Sequence, residues 1–331
     1  MQGFEENEIS KNAFGGTEIT KRSLAKMVSE ELASEFQIIP SRFREIEKEK
    51  IRIYWLHDLA EDPELLHLQS ENSRNRFHKF VFNCNWQLND FNTKLGIPFD
   101  EKVQIIETPV EAIPWYEKET DKINLIYFST PQRGLEILVP VFEELAKTNP
   151  NIHLNVFSSF KIYGWEEADK NYEPLYDRIR SHPQMTYHGF SPREKLTEYI
   201  QKSHILAYPC IWKETACRVL IESMSGGLIC VHPNLAALSD TAGQLTLSYQ
   251  FMENVNDHAR IFHSHLAHAI ALLKDKQTQD YLKFVKVYTD RRFDPGMIAN
   301  QWENMMIELK NQYPTIESRD LAKQQFVYKT S

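Results

Sequence analysis

The sequence predicts an α/β protein built as two parallel-sheet domains, and three observations carry that expectation. Short apolar runs of strand length alternate with helix-period segments along the chain, as at 51–56, 123–128, 152–157 and 228–231. A strand–helix–strand order of this kind calls for parallel pairing with right-handed crossovers. The length of 331 residues suits about two such domains. The stretch 112–122, with Pro114 and several charges between apolar runs, then reads as the boundary between them.

Composition limits the class of partner. With 42% hydrophobic and 25% charged residues the chain reads as an ordinary globular protein. A net charge of −8 and a pI near 5.9 argue against a nucleic-acid partner, and weakly against docking on anionic lipid by charge alone. Cys84, Cys210, Cys217 and Cys230 form no Cys-x-x-Cys pair, so reduced and buried thiols are expected. The first ten residues are acidic and polar, unlike a secretory leader. No apolar run approaches the roughly 18 residues that span a bilayer. A cytoplasmic protein is the expectation.

Taken in order, Gly15, Gly16 and Thr17 open a helical pattern that runs to Leu32. Glycines at such a place let the backbone pass close to a ligand and turn N–H groups toward anionic oxygens, although a plain Gly-Gly turn looks the same. Residues 36–40 read as a strand, and the mixed-charge stretch 42–50 as a solvated helix or loop. The strand at 51–56 delivers His57 and Asp58 at its carboxyl end, where ligands collect in open α/β sheets. A turn or capping histidine is the alternative for His57. Residues 80–87 read as a strand running into polar residues, with a helix to Leu95 after it. Asn83 and Asn85 are candidates for ligand contact or for capping that helix. A strand at 103–106 closes this half.

The second half opens with a strand at 123–128, the loop Ser129 to Gly134, and a helix with apolar Leu135, Leu138, Val141, Phe142 and Leu145. A loop carrying Arg133 and Gly134 ahead of a helix N-terminus can seat a diphosphate. Strands follow at 152–157 and 185–190, and Ser191-Pro192-Arg193-Glu194 starts a helix well. The most informative stretch is Tyr208 to Val231. A strand end and loop lead into a short helix stopped by Gly226-Gly227, and another apolar strand follows. Glu214 precedes this helix and Glu222 lies inside it, roughly 10 Å further along the axis. That separation is too large for one acid/base pair on one bond and suits the two ends of an extended ligand. The helix amides near Thr215, Ala216 and Cys217 suit a phosphate, and each carboxylate can accept from sugar hydroxyls. An ordinary strand–helix unit with two solvated glutamates would show the same spacing.

Tyr208-Pro209, Glu214 and Leu220 through Gly227 resemble the Glu-x7-Glu signature of retaining glycosyltransferases of family four. The resemblance implies the GT-B fold, an α/β architecture of two Rossmann-like domains facing each other across a cleft. It implies domains at 1–117 (acceptor side) and 118–292 (nucleotide sugar), a helix at 293–312 crossing back, and a polar tail at 313–331. Gly15, Gly16 and Thr17 then match the loop facing the donor diphosphate, with Arg133 and Gly134 opposite it. Thr215, Ala216 and Cys217 would supply backbone donors, Glu214 would orient the sugar, Glu222 would hold the ribose, and His57 would sit at the reacting face. The implied reaction moves a sugar, with retention and without metal or cofactor, from a UDP or GDP sugar to a hydroxyl of a glycan, lipid-linked glycan or glycoprotein.

Departures from the family pattern are specific. Thr215-Ala216-Cys217 stands where the family has Gly-Phe-Gly, Thr108-Pro109 replaces a serine-bearing strand end, and Phe128 occupies the place of a first basic residue. The strand usual before the Gly-Gly loop is not evident in the polar N-terminal stretch. A nucleotide-binding protein on the same fold without catalysis is therefore a second reading. An NAD(P) oxidoreductase is a third, but no Gly-x-Gly-x-x-Gly follows a strand. His258, His263, His265 and His268 lack a metal-ligand spacing and read as part of a helix at 259–273. The residues Ile298, Trp302, Met305, Met306 and Leu309 mark a last amphipathic helix.

Overall fold

The computed structural model describes residues 28–42, 45–119 and 121–321. These form two compact units, the first from residues 28–109 and 295–321, the second from 110–294. The first unit is a four-stranded parallel sheet with β1 (Phe36–Pro40), β2 (Ile51–Trp55), β3 (Lys79–Phe82) and β4 (Val103–Ile105) side by side in that order. Both β1 and β2 are buried at every position, as a parallel sheet covered on two faces requires. One cluster joins Ile51, Ile53 and Trp55 to Ile298, Trp302, Met305, Met306 and Leu309 of the Pro295–Gln312 helix. Trp55 and Trp302 meet edge to face at 5.0 Å. A second cluster joins Tyr54 and Phe82 to Leu88, Phe91 and Leu95 of the Asn85–Leu95 helix.

One boundary differs from the sequence expectation. β3 ends at Phe82, because Cys84 caps a helix that already includes Asn85, its sulfur accepting from the Gln87 amide at 3.4 Å. The polar tail is held as far as it is described: Ile316–Arg319 forms a helical turn whose Arg319 pairs with Glu35 at 2.8 Å.

The second unit is a six-stranded parallel sheet of β5 (Ile123–Phe128), β6 (Ile152–Phe157), β7 (Met185–Tyr187), β8 (Ile205–Ala207), β9 (Ile229–Pro233) and β10 (Leu247–Tyr249). Their spatial order is β10-β9-β8-β5-β6-β7. Counted within the unit this is 6-5-4-1-2-3, the doubly wound order of nucleotide-binding sheets. Apolar strand residues and the Leu135–Ala146 and Val255–Leu272 helices share one continuous core. The sequence reading did not place the Glu173–Ser181 helix, β10 or the Lys276–Arg292 helix. The first buries only Tyr176 and Ile179, and β10 has three residues. The last turns Tyr281, Phe284 and Val287 outward, which blurs its apolar stripe. Among the described residues, no helix is long and apolar enough to cross a membrane.

Candidate active site

β5 and β8 are neighbours in the second sheet, but the chain leaves them in opposite directions, toward β6 and toward β9. Such a switch point, at the carboxyl ends of the strands, is where open α/β sheets hold ligands. The loop after β5 carries Arg133 and the loop after β8 carries Glu214. A single glycine allows these loops to touch. Gly134 has φ +115, and a Cβ there would lie 2.1 Å from the Pro209 carbonyl oxygen. Only a residue without a side chain fits.

The two loops are joined by charge. Arg133 Nη1 forms an ion pair with Glu214 Oε1, and Arg133 Nη2 donates to the Tyr163 hydroxyl at 3.3 Å. The Tyr208 hydroxyl donates to the same Glu214 oxygen at 3.0 Å from a fully buried ring. Burial opposes the charge on Arg133, but Glu214 and the nearby tyrosines Tyr208 and Tyr163 hold its pKa well above the ordinary value. Burial, reinforced by the Cys210 thiol and Glu214, raises the Tyr208 hydroxyl well above its usual range, so it remains a donor at neutral pH. Thr130 Oγ1, Gln132 Oε1, Arg133 Nε and Ser158 Oγ are four of the eleven side-chain atoms found buried without a hydrogen-bond partner among the described residues. All four lie on the segments that leave β5 and β6. Native interiors seldom leave such atoms unmatched, and these four leave polar groups beside the switch point that water or a ligand can match.

Glu222 occupies a second pole of the same unit. It sits in the Arg218–Ser225 helix and is 2% exposed. Arg218 Nε lies 2.7 Å from its Oε1 and Arg193 Nη1 lies 2.7 Å from its Oε2. The helix begins at Cys217, which makes no side-chain cap; its own amide points at Thr241 Oγ1 at 3.5 Å. Thr215 and Ala216 are half-buried just before it. The Cys217 thiol is buried and its pKa raised, chiefly by desolvation, so it is no nucleophile.

His57 belongs to the first unit, just past the end of β2. Its ring packs 4.3 Å from that of Trp55. Ser41, in a left-handed conformation at φ 65, fixes the loop: its Oγ accepts from the His57 amide at 2.7 Å and the Asp58 amide at 3.2 Å. Asn83 is buried and donates to the Leu56 carbonyl at 2.6 Å, which braces the end of β2. Gly15, Gly16 and Thr17 lie outside the described residues. His258, His263, His265 and His268 all lie on the Val255–Leu272 helix, His258 buried against the Tyr249 hydroxyl at 3.0 Å. Among the described residues no three His, Cys, Asp or Glu groups are placed to hold a metal.

Sequence reasoning missed Tyr163, Ser41, the Tyr208 hydroxyl and the arginine pair at Glu222. Arg193 and Arg218 carried a weak signal, since Arg218 stands four residues before Glu222 on one helix face.

Residues 116–245 match the family model described as Glycosyl transferases group 1. The second unit carries a group 1 glycosyltransferase domain. Solved structures extend the likeness in fold to most of the chain. Anabaena Alr3699/HepE, solved in complex with UDP-glucose, is 16% identical with a TM-score of 0.59, over 87% of this chain and 77% of its own. A glycosyltransferase from Rickettsia africae is 13% identical with a TM-score of 0.66, over 92% and 84%. Sucrose-phosphate synthase from Thermosynechococcus elongatus is 15% identical with a TM-score of 0.60, over 79% and 68%. The fold is GT-B, as the signature around Glu214 and Glu222 implied. No curated protein matches the sequence significantly.

Proposed function

We propose that this glycosyltransferase moves a sugar from a nucleotide-diphosphate donor, UDP- or GDP-linked, to a hydroxyl of a glycan, lipid-linked glycan or glycoprotein. Transfer proceeds with retention and without metal or cofactor. The observation that carries the reading is the convergence of Arg133, Glu214 and Tyr208 on the switch point between β5 and β8. In this reading Arg133 offsets the charge that develops on the leaving diphosphate, helped by the amides at Thr215, Ala216 and Cys217. Glu214, held by Arg133 and Tyr208, accepts from the donor sugar's hydroxyls and fixes its orientation. Glu222 accepts from the ribose hydroxyls. His57, at the carboxyl end of β2, is the acceptor-side residue, and Gly15, Gly16 and Thr17 complete the diphosphate loop. The buried, free cysteines suit the cytoplasm, where we place the protein.

A second reading, nucleotide binding without transfer, is favoured by Phe128, a buried apolar side chain where the family pattern has a cation. One screen separates the two. Thermal shifts with UDP, GDP, ADP, CMP and their sugar conjugates, without metal, should show one strong base-specific stabilisation that is lost in Arg133→Ala. Sugar release from that donor should fall at least about 100-fold in Glu214→Ala and His57→Ala. A shift without sugar release from any acceptor mixture would establish the binding protein instead. Wild-type rates in both variants would remove those two residues from the mechanism.

A further inference from the structure

The arginine pair at Glu222 is absent from the reading above and has a geometry of its own. Glu222 is 2% exposed, and a buried carboxylate without a cation is costly. One cation would satisfy it, but two are present, one on each oxygen. Arg218 reaches Oε1 along the same helix, and Arg193 reaches Oε2 from the first turn of the Arg193–Lys202 helix, both at 2.7 Å. A carboxylate offers about four acceptor positions, two on each oxygen. With one guanidinium bound to each oxygen, the group cannot rotate without breaking a charge-assisted bond. One acceptor position is left on each oxygen, enough to receive one hydroxyl each from two adjacent carbons.

We propose that Arg193 and Arg218 are positioning residues that lock Glu222 as a receptor for a vicinal diol, so that the site selects ribonucleotides over 2′-deoxyribonucleotides. This rests on the assignment of Glu222 to the donor's ribose. The arginines act through Glu222 and do not bind phosphate. The strongest hydrogen bonds of the diol are those to a fixed anion. A ligand lacking the 2′-hydroxyl loses one of them and leaves an acceptor unmatched.

The test is calorimetric titration of wild type, Arg193→Ala, Arg218→Ala and Arg218→Lys with UDP, GDP and ADP and with their 2′-deoxy counterparts. Wild type should prefer the ribonucleotide by roughly tenfold or more, the worth of a hydrogen bond to a charged group. Each alanine variant should bring that ratio toward unity by weakening the ribonucleotide alone, and Arg218→Lys should recover part of it. The Arg193 side chain is 41% exposed, so Arg193→Ala should melt near wild type and carries the test should Arg218→Ala fail to fold. An unchanged ratio overturns the proposal, as does an equal loss for both sugars, which would make the arginines phosphate ligands. If wild type binds no nucleotide at all, the donor assignment falls together with the proposal. Intact binding with an unchanged ratio sinks the proposal alone.

Discussion

Gly134 shows how one residue fixes the spacing of the site. Its left-handed φ of +115 disfavours any side chain, and the Pro209 carbonyl occupies the place of a Cβ. Gly134→Ala must push the loop after β5 away from the loop after β8, and with it Arg133 from Glu214. We expect a loss of more than about 2 kcal/mol from backbone strain and clash, read as a lower urea midpoint. An unchanged midpoint would show that the loops have slack. The sequence identified Gly134, Arg133 and Glu214 as a donor-side set, but assigned the glycine to phosphate contact. Its packing against Pro209 could not be read, because that contact joins residues on different strands with no local pattern. The ion pair of Arg133 with Glu214 spans 81 positions and was hidden for the same reason. Glu222 was singled out through the motif around it. Its two arginines were missed, because Arg193 reaches it from another helix.

At the scale of elements, β2 carries an arginine in the middle of an apolar sheet. Arg52 is 1% exposed, and its guanidinium donates to the carbonyls of Arg76 at 2.7 Å, Glu47 at 2.9 Å and Arg319 at 2.8 Å. Desolvation lowers its pKa to about 10, which leaves it charged at neutral pH. One side chain thereby ties the segment before β2, the segment before β3 and the last described turn to the sheet. Arg52→Met would fill the same space and strip the guanidinium donors from five carbonyls, those of Glu47, Lys48, Lys50, Arg76 and Arg319. A loss of about 3 kcal/mol is expected, with faster proteolytic clipping after residue 312 than at other sites. Clipping at the wild-type rate would mean that the bonds of Arg319 to Glu35 and to the Glu49 carbonyl hold the last turn without Arg52. The docking of this turn is not legible in its own polar composition, because the residue that reaches it lies 267 positions away. Strands such as β1, β2, β5 and β6 were legible because parallel strands buried on both faces leave predominantly apolar runs, interrupted by no more than one or two polar residues each. The three-residue β10 leaves no such run, and the Glu173–Ser181 helix buries too few residues to show a period.

For the whole molecule, both units bury neutral histidines, and this sets how stability responds to acid. In the first unit His78 is 2% exposed and its Nδ1 accepts from the Arg52 amide at 2.9 Å; burial, helped by Arg52, lowers its pKa to about 3. In the second unit His232 is fully buried between the Pro233 carbonyl at 2.9 Å and the Thr246 hydroxyl at 2.7 Å, and burial lowers it to about 4. In the unfolded chain both take a proton near pH 6.5. Below that value the unfolded state binds more protons than the folded one, so the stability present above pH 6.5 is lost as the pH falls toward 4 and 3. Each histidine contributes a slope of about 1.4 kcal/mol per pH unit in that window. His67, His153 and His188 shift the same way, to about 4, mainly through desolvation, and being only half-buried they add less. The melting temperature should therefore be level from about pH 8 to 7 and fall steadily below about 6.5, before most carboxylates begin to titrate. His232→Gln should melt lower than wild type at neutral pH and show a shallower acid slope. A melting temperature that stays level to pH 5 would mean that the folded protein accepts these protons, and that the histidine sites open more readily than their burial implies.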